Sequence, residues 1–114
     1  MRGIVTGGRD YADAAAVQRE LDHLALAEGL TEIAHGGARG ADQLAGDWAC
    51  ANRLPCFVYP AEWKRLGRGA GPKRNAEMLR HFAPDVVIAF PGGRGTADMV
   101  ARARKAGVRV IEVT

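Results

Sequence analysis

The sequence is poor in the residues that build disulfide frameworks and metal sites. Its 114 residues include only 2 cysteines and 3 histidines. Two cysteines cannot form a disulfide framework, and Cys50 and Cys56 lack the spacing of zinc ligands. The histidines are scattered, so we expect no metal site. We interpret Cys50, in a helical pattern, and Cys56, in a strand-like pattern, as small core residues.

Long hydrophobic runs are also absent. No apolar segment approaches the roughly 20 residues that cross a bilayer, so we expect no membrane association. The first residues lack the apolar region and cleavage site of a signal peptide, and we expect a cytoplasmic protein. Hydrophobic residues make up 47% and charged residues 25% of the chain, as in ordinary globular proteins. The length fits one compact domain over residues 1–114.

Lysine is scarce, because 13 of the 16 basic residues are arginine. The net charge is +3, which is basic without being extreme. Arginine is the side chain that binds phosphate through two parallel hydrogen bonds. No unbroken basic stripe suits a long nucleic-acid duplex. The composition therefore favours a small anionic ligand.

Short apolar segments alternate with longer helical patterns along the chain. Such alternation predicts a parallel sheet covered by helices on both faces. We expect a Rossmann-like three-layer α/β/α sandwich, with five strands in the order 3-2-1-4-5 and ligands at the carboxyl ends of strands 1 and 4. The segment 61–71 is predicted to be an irregular binding loop. The predicted strands are 3–6, 31–35, 56–59, 85–90 and 108–113, and the predicted helices are 12–28, 41–53, 72–82 and 97–106.

Three glycine-rich segments follow the first, second and fourth predicted strands, which places them at one edge of the sheet. Glycine lets an anion approach backbone amides, and each segment leads into a helix N-terminus, which favours phosphate. Glycine pairs also make tight turns, but turn formation does not require an arginine in every loop. The candidate ligand- and phosphate-binding residues are Thr6, Gly7, Gly8, Arg9, Gly36, Gly37, Arg39, Gly40, Asp42, Gly92, Gly93, Arg94, Gly95 and Thr96.

Two well-known nucleotide motifs are missing from these loops. None ends in the Gly-Lys-Ser/Thr of a P-loop, and the dinucleotide fingerprint GxGxxG does not occur. The sequence therefore does not predict a standard ATPase or NAD-dependent enzyme, and we predict no cofactor.

Several residues near the loops have two interpretations. Asp42 and Asp98 either complement a helix dipole or bind ribose hydroxyls and act as acid or base. Thr96 is placed to cap its helix and also to meet phosphate. The basic segment 64–74 is either a solvated loop or an arm that closes over an anion. Trp63 either anchors that segment to the core or stacks on a base.

The segment Pro91–Thr96 resembles the PGGxGT motif of the SLOG superfamily, which includes the LOG phosphoribohydrolases and the DNA-processing protein DprA. The segment Arg74–Met78 is similar to the RKxxM pattern of LOG enzymes. The opening Val5–Tyr11 together with His35–Asp42 looks most like the YspA-type, cpYpsA-related SLOG proteins. This last resemblance covers most of the chain.

The resemblance implies a Rossmann-like fold that binds a nucleotide or a nucleotide-derived small molecule, usually as a homodimer. In LOG enzymes it also implies hydrolysis of the base–ribose bond of a nucleoside 5′-monophosphate. The catalytic arginine of that family corresponds to Arg74. The catalytic glutamate corresponds to Met99, so hydrolysis here would need a carboxylate from Asp98 or Asp42.

Three functions therefore follow from the sequence. The first is a nucleotide-binding protein that also cleaves the N-glycosidic bond, with Arg74 and Asp98 as candidate catalytic residues. The second is a non-catalytic sensor of a nucleotide-derived ligand. The third is a single-stranded nucleic-acid-binding module that uses Trp63 and the basic segment 64–74.

Overall fold

Five parallel strands form the centre of the molecule, in a computed structural model that describes residues 1–114. The sheet order is β3-β2-β1-β4-β5, and every neighbouring pair is parallel. The predicted fold class and strand order are therefore confirmed. The strands are β1 (Arg2–Thr6), β2 (Glu32–His35), β3 (Cys56–Val58), β4 (Val86–Ala89) and β5 (Arg109–Glu112).

Five α-helices connect the strands. The first begins where the Asp13 side chain accepts a hydrogen bond from the Ala16 amide (3.0 Å), and it ends at Gly29 in the left-handed conformation. No helix combines the length and the apolar character needed to span a membrane. The helices are α1 (Ala14–Glu28), α2 (Ala41–Ala51), α3 (Trp63–Leu66), α4 (Ala70–Phe82) and α5 (Arg94–Lys105).

The helices lie on both faces of the sheet, and each face has its own core. On one face, alternate strand residues such as Val5 and Ile33 pack with α1 and α2 around buried Trp48. On the other face, Ile4 and Val87 pack with α4 and α5. The period of two along the strands explains why successive residues of β1 enter different cores. The order of the strands in the sheet reverses between β1 and β4, and this reversal places a crevice at their carboxyl ends.

Two helices, α4 and α5, begin earlier than predicted, whereas α1 begins two residues later and α2 ends two residues earlier. The segment 61–71 is not an irregular loop, because it contains α3 and a 3₁₀ turn (Gly67–Gly69) that leads directly into α4. Pro72 is compatible with the early start of α4, since a proline in a first turn removes an amide that has no helical partner. Helix α5 begins at Arg94, three residues before the predicted start. Thr96 therefore lies inside the first turn and does not cap the helix, whose N-cap is Gly93.

The expectation for the cysteines was wrong. Cys50 and Cys56 are both exposed. Cys50 lies on the solvent side of α2, and Cys56 lies in β3, an edge strand whose three residues are all exposed. An apolar segment of this length does not reveal from its composition whether the strand is central or at an edge. Trp48 is buried as expected, and its Nε1 donates a hydrogen bond to Asp22 (2.8 Å).

Candidate functional site

The three glycine-rich loops meet at the carboxyl edge of the sheet. The amide of Gly8, after β1, donates a hydrogen bond to the carbonyl of Pro91, after β4 (2.9 Å). The carbonyl of Gly8 accepts a hydrogen bond from the amide of Ala41, at the start of α2 (3.1 Å). The loop after β1 is therefore held between the other two, as the parallel topology predicts.

A cavity of about 490 Å³ opens beside this junction. Its walls come from the loops after β1 and β4, from the first residues of α5, and from the segment that joins α3 to α4. Gly71 and Pro72 belong to that segment and were not singled out from the sequence. The lining residues are Thr6, Gly7, Gly8, Arg9, Ala38, Asp42, Trp63, Arg68, Gly71, Pro72, Arg74, Gly93, Arg94, Gly95, Thr96 and Asp98.

The N-terminus of α5 opens onto this cavity without a cap. Gly93 is the N-cap and contributes no side-chain hydrogen bond. The amides of Gly93 to Thr96 find no backbone acceptor, as is normal at the start of a helix. A Cβ atom on Gly93 or Gly95 would meet no atom within 4 Å, so there is open space beside these two residues. These amides and the helix dipole together favour an anion.

Gly92 has a structural place in the same loop and does not line the cavity. A Cβ atom at this position would lie 2.2 Å from Thr96 Oγ1 and 2.7 Å from the amide nitrogen of Gly8. Glycine is therefore needed here for close packing of the loops after β1 and β4.

The loop after β2 satisfies its own amides. Asp42 Oδ2 accepts hydrogen bonds from the amides of Gly36 (3.1 Å) and Ala38 (3.2 Å). The amide of Gly37 donates to His35 Nδ1 (2.9 Å). Gly36, Gly37 and Gly40 lie outside the cavity that α5 faces. This loop therefore supports the site from behind, through Ala38 and Asp42.

Gly40 and Arg39 also contribute to this supporting structure. Gly40 has φ +78°, and a Cβ atom would lie 2.2 Å from the carbonyl oxygen of Gly8. Arg39 lies outside the cavity and forms an exposed salt bridge with Asp10 (3.3 Å). Both residues were candidate phosphate ligands, and the structure brings neither into the α5 cavity.

His35 and Asp42 form a buried titratable pair beneath the loop. Burial raises the pKa of Asp42, although the amides of Ala38 and Gly36 and the charges of His35 and Arg74 oppose the shift. Burial lowers the pKa of His35, and Asp42 partly offsets that effect. Because His35 Nδ1 accepts a hydrogen bond from an amide, the neutral ring fits this environment.

Arg74 joins α4 to the loop after β2. Its Nη1 donates to the carbonyls of Gly36 (2.7 Å) and Tyr59 (3.2 Å), and its Nε donates to Asn75 Oδ1 (2.9 Å). A Cβ atom on Gly36 would lie 2.0 Å from Nη1, so the glycine makes room for the guanidinium. Burial lowers the pKa of Arg74, Asp42 opposes the shift, and the charge of Arg9 adds to it. The side chain is therefore fixed at the wall of the cavity.

Asp98, the second candidate catalytic residue, is occupied by neighbouring side chains. Its Oδ2 accepts hydrogen bonds from Asn75 Nδ2 (3.0 Å) and Arg102 Nε (2.9 Å). Asn75 Nδ2 also donates to the carbonyl of Gly95 (3.1 Å), which ties α4 to the first turn of α5. Met99, the next residue, is fully buried in the core.

The cavity concentrates arginines that have no carboxylate partner. Seven of the thirteen arginines form salt bridges. Four of the other six line this cavity. These arginines outnumber the two aspartates of the wall, of which Asp98 is already paired with Arg102, so the wall has an excess of positive charge. The four unpaired arginines are Arg9, Arg68, Arg74 and Arg94.

Comparison with known proteins assigns this chain to a family. The model of the YspA, cpYpsA-related SLOG family (YAcAr) matches residues 1–66, more than half of the chain. The chain belongs to this family. The loops after β1 and β2 lie within the matched residues, and the PGGRGT segment of this YAcAr protein lies beyond them.

Two known proteins are similar over nearly the whole YAcAr chain. Gene 61 protein of Mycobacterium phage D29 is 41% identical over 118 aligned positions, which cover 96% of this chain and 94% of the phage protein. The X-ray structure of DNA processing protein A (DprA) from Streptococcus pneumoniae superposes with a TM-score of 0.52 at 19% identity. That match covers 96% of this chain but only 58% of DprA, and it shows a shared fold.

Proposed function

We propose that this protein binds a nucleotide-derived ligand in the α5 cavity, with a phosphate group on the open amides of Gly93 to Thr96. One observation carries the proposal: the uncapped N-terminus of a 12-residue helix faces a cavity with an excess of arginine. A phosphate there would accept hydrogen bonds from amides that lack protein acceptors. Arg94, at the first helical position, adds charge at the same point.

The position of the cavity supports the same conclusion. In parallel α/β sheets, ligands bind outside the carboxyl ends of the strands where the strand order reverses. In this chain that point lies between β1 and β4, and the loops after both strands line the cavity. The name of DprA associates this fold with DNA processing, which agrees with a ligand built from nucleotides.

The opposite walls offer groups for the remainder of a nucleotide. Both amide hydrogen bonds to Asp42 go to Oδ2, so Oδ1 is left to accept from a ribose hydroxyl. Trp63 lines the cavity while 47% of its surface is exposed, and its ring offers a face on which a base would stack. Phosphate, sugar and base therefore each have a complementary group.

The same geometry favours binding without hydrolysis. Cleavage of a base–ribose bond needs a carboxylate that stabilises a positively charged sugar or activates water. Met99 is buried and apolar, and the Asp98 carboxylate is paired with Arg102. Asp42 is held by the amides of Gly36 and Ala38, and its free oxygen is assigned to a ribose hydroxyl. We therefore expect no free base when the protein is incubated with nucleoside 5′-monophosphates and the mixture is separated by chromatography. Release of one base, lost in Arg74→Ala, would replace this proposal with phosphoribohydrolase activity.

Calorimetry with Gly93→Val tests the phosphate position. The titrants are AMP, GMP, CMP and UMP, each beside its nucleoside. We expect at least one monophosphate to bind more tightly than its nucleoside, and the variant to lose that preference, because the valine side chain fills the space before the amides. The fold should be retained, since a Cβ on Gly93 meets nothing within 4 Å.

Ala101→Val is the matched control, because Ala101 is an exposed residue of the same helix away from the cavity. It should bind as the unmodified protein does. Monophosphate binding that survives in folded Gly93→Val, or equal binding of nucleoside and nucleotide, contradicts the proposed site. Affinity for oligonucleotides that rises with strand length and falls steeply with salt would instead favour a single-stranded nucleic-acid module.

A further inference from the structure

The number of unpaired arginines in the α5 cavity exceeds what one phosphate needs. A phosphate monoester carries a charge of about −1.5 to −2 at neutral pH. The helix N-terminus supplies about half a positive charge and Arg94 supplies another full one. Arg74, already fixed by three hydrogen bonds, stands at the same wall. Arg9 and Arg68 then remain in the cavity wall without a carboxylate or phosphate partner.

We propose that the ligand carries at least two linked phosphates, as in a nucleoside diphosphate or a dinucleotide, and that Arg9 and Arg68 bind the second phosphate. This inference rests on the proposed function, because it takes the first phosphate to be at the N-terminus of α5. It assigns the ligand class by charge: one phosphate for the helix terminus and another for the two remaining arginines.

Arg9 and Arg68 approach the cavity from different elements, on either side of Trp63 in the sequence. Arg9 follows β1, and its guanidinium carbon lies 5.4 Å from the centre of the Trp63 ring. Arg68 belongs to the 3₁₀ turn that follows α3, whose first residue is Trp63. Neither arginine has a carboxylate partner, and both are exposed enough to meet a ligand. Trp63 thus holds one of the two cations at the cavity mouth.

The like charges of this wall also favour a ligand with several negative charges. The charge of Arg9 lowers the pKa of Arg74, which shows that the two cations act on each other. Cations held together without an anion repel one another, and the repulsion grows when water is displaced from around them. A ligand with several negative charges removes this repulsion more completely than a monophosphate does.

Further space for a larger ligand adjoins the α5 cavity. A second cavity of about 410 Å³ shares four lining residues with the first and is also lined by Pro60 and Ala61. A ligand longer than a mononucleotide would extend toward this second cavity. The shared residues are Arg9, Ala38, Trp63 and Arg74.

Calorimetry at one fixed salt concentration tests the inference with AMP against ADP, GMP against GDP, and inorganic phosphate against pyrophosphate. We expect the diphosphate of at least one pair to bind ten times or more tightly than its monophosphate. Arg9→Ala and Arg68→Ala should each bring that ratio toward one. Arg80→Ala is the matched control, because Arg80 is also exposed and unpaired but lies outside both cavities. It should leave the ratio unchanged.

NAD distinguishes the two sources of a diphosphate. Binding of NAD at least as tight as that of ADP indicates a dinucleotide, and weaker binding indicates a nucleoside diphosphate. Equal affinity for mono- and diphosphates, or a ratio that survives both arginine substitutions, overturns the inference. In that case Gly93→Val still separates the two proposals, since it abolishes monophosphate binding only if the first phosphate is on α5.

Discussion

The loops after β2 and β4 have nearly the same sequence, but their backbone amides have different partners. Residues 36–42 read GGARGAD and residues 92–98 read GGRGTAD, with aspartate at the seventh position of each. In the first loop the amides bind protein acceptors, whereas in the second loop they open onto a cavity. The same glycine-rich pattern therefore makes a structural support in one place and a candidate binding surface in the other.

The start of the following helix explains this difference. Helix α2 begins at the sixth residue of its segment, so Asp42 lies in its first turn and reaches back to the loop amides. Helix α5 begins at the third residue of its segment, so Asp98 lies one turn further along. From there it accepts hydrogen bonds from Asn75 and Arg102, and it leaves the loop amides without an acceptor. A three-residue shift in helix start thus decides which loop remains open.

Substitution of Gly40, in the loop after β2, should have the largest effect on stability, and it tests whether this loop supports the fold. Gly40→Ala places a side chain at φ +78° and a Cβ atom 2.2 Å from the Gly8 carbonyl oxygen. Such strained backbone costs about 1–3 kcal/mol, and the overlap with backbone adds to it. We expect the free energy of unfolding, measured with urea, to fall by about 3 kcal/mol or more. A loss below about 1 kcal/mol would show that the loop after β2 is as open as the loop after β4.

Truncation of Asp42 and of Asp98 to alanine should lower the free energy of unfolding by different amounts. Asp42→Ala leaves the amides of Gly36 and Ala38 without an acceptor in a buried setting, which costs about 2–3 kcal/mol. Asp98→Ala removes a partly exposed ion pair and one amide contact, with an expected loss of about 1 kcal/mol. Urea unfolding of both variants measures the difference. Asp42→Asn should recover much of the loss, because its side-chain oxygen still accepts hydrogen bonds.

The sequence predicts the sheet order and the meeting of the three loops. Both follow from the alternation of strands with helices, which makes the sheet parallel and brings the carboxyl ends of its strands to one edge. It does not reveal the role of each loop, because Asp42 and Asp98 occupy the same position in the repeat and only the helix start separates them. The sequence also does not predict Gly71 and Pro72 as cavity residues. The reason is related, because α4 begins before the proline and the segment that precedes it is helical. The exposure of Cys56 shows the same limit, because whether a strand lies at an edge depends on its neighbours in the sheet.

The stability of the protein should depend on pH because of His35, which is buried beneath the loop after β2. Burial lowers its pKa below 6.5, so near that pH the unfolded chain binds a proton that the folded chain does not. The stabilisation is complete above pH 6.5 and is lost as the pH falls toward the folded pKa. The slope for one proton is at most about 1.4 kcal/mol per pH unit. Burial raises the pKa of Asp42, so this group contributes to the pH dependence with the opposite sign.

Urea unfolding between pH 7.5 and 5.5 checks this prediction. His35→Asn keeps an acceptor for the Gly37 amide but does not titrate, so its stability should decline less than that of the unmodified protein. His23→Gln, at an exposed position of α1, should keep the full decline. The same decline in all three proteins would mean that His35 does not hold the loop in its neutral form.

Gly95→Ala should have the smallest effect on stability, and of the opposite sign. Gly95 lies in the first turn of α5 without a positive φ, and a Cβ atom there meets nothing within 4 Å. Alanine in a helix is more stable than glycine by about 0.5–1 kcal/mol, so urea unfolding should show a gain of that order. AMP titrations should show weaker binding, because the added methyl group lies at the wall of the cavity. Glycine in the loop after β2 would then be required for folding and glycine in the loop after β4 for access to the amides, whereas a destabilised Gly95→Ala would make the two loops equivalent.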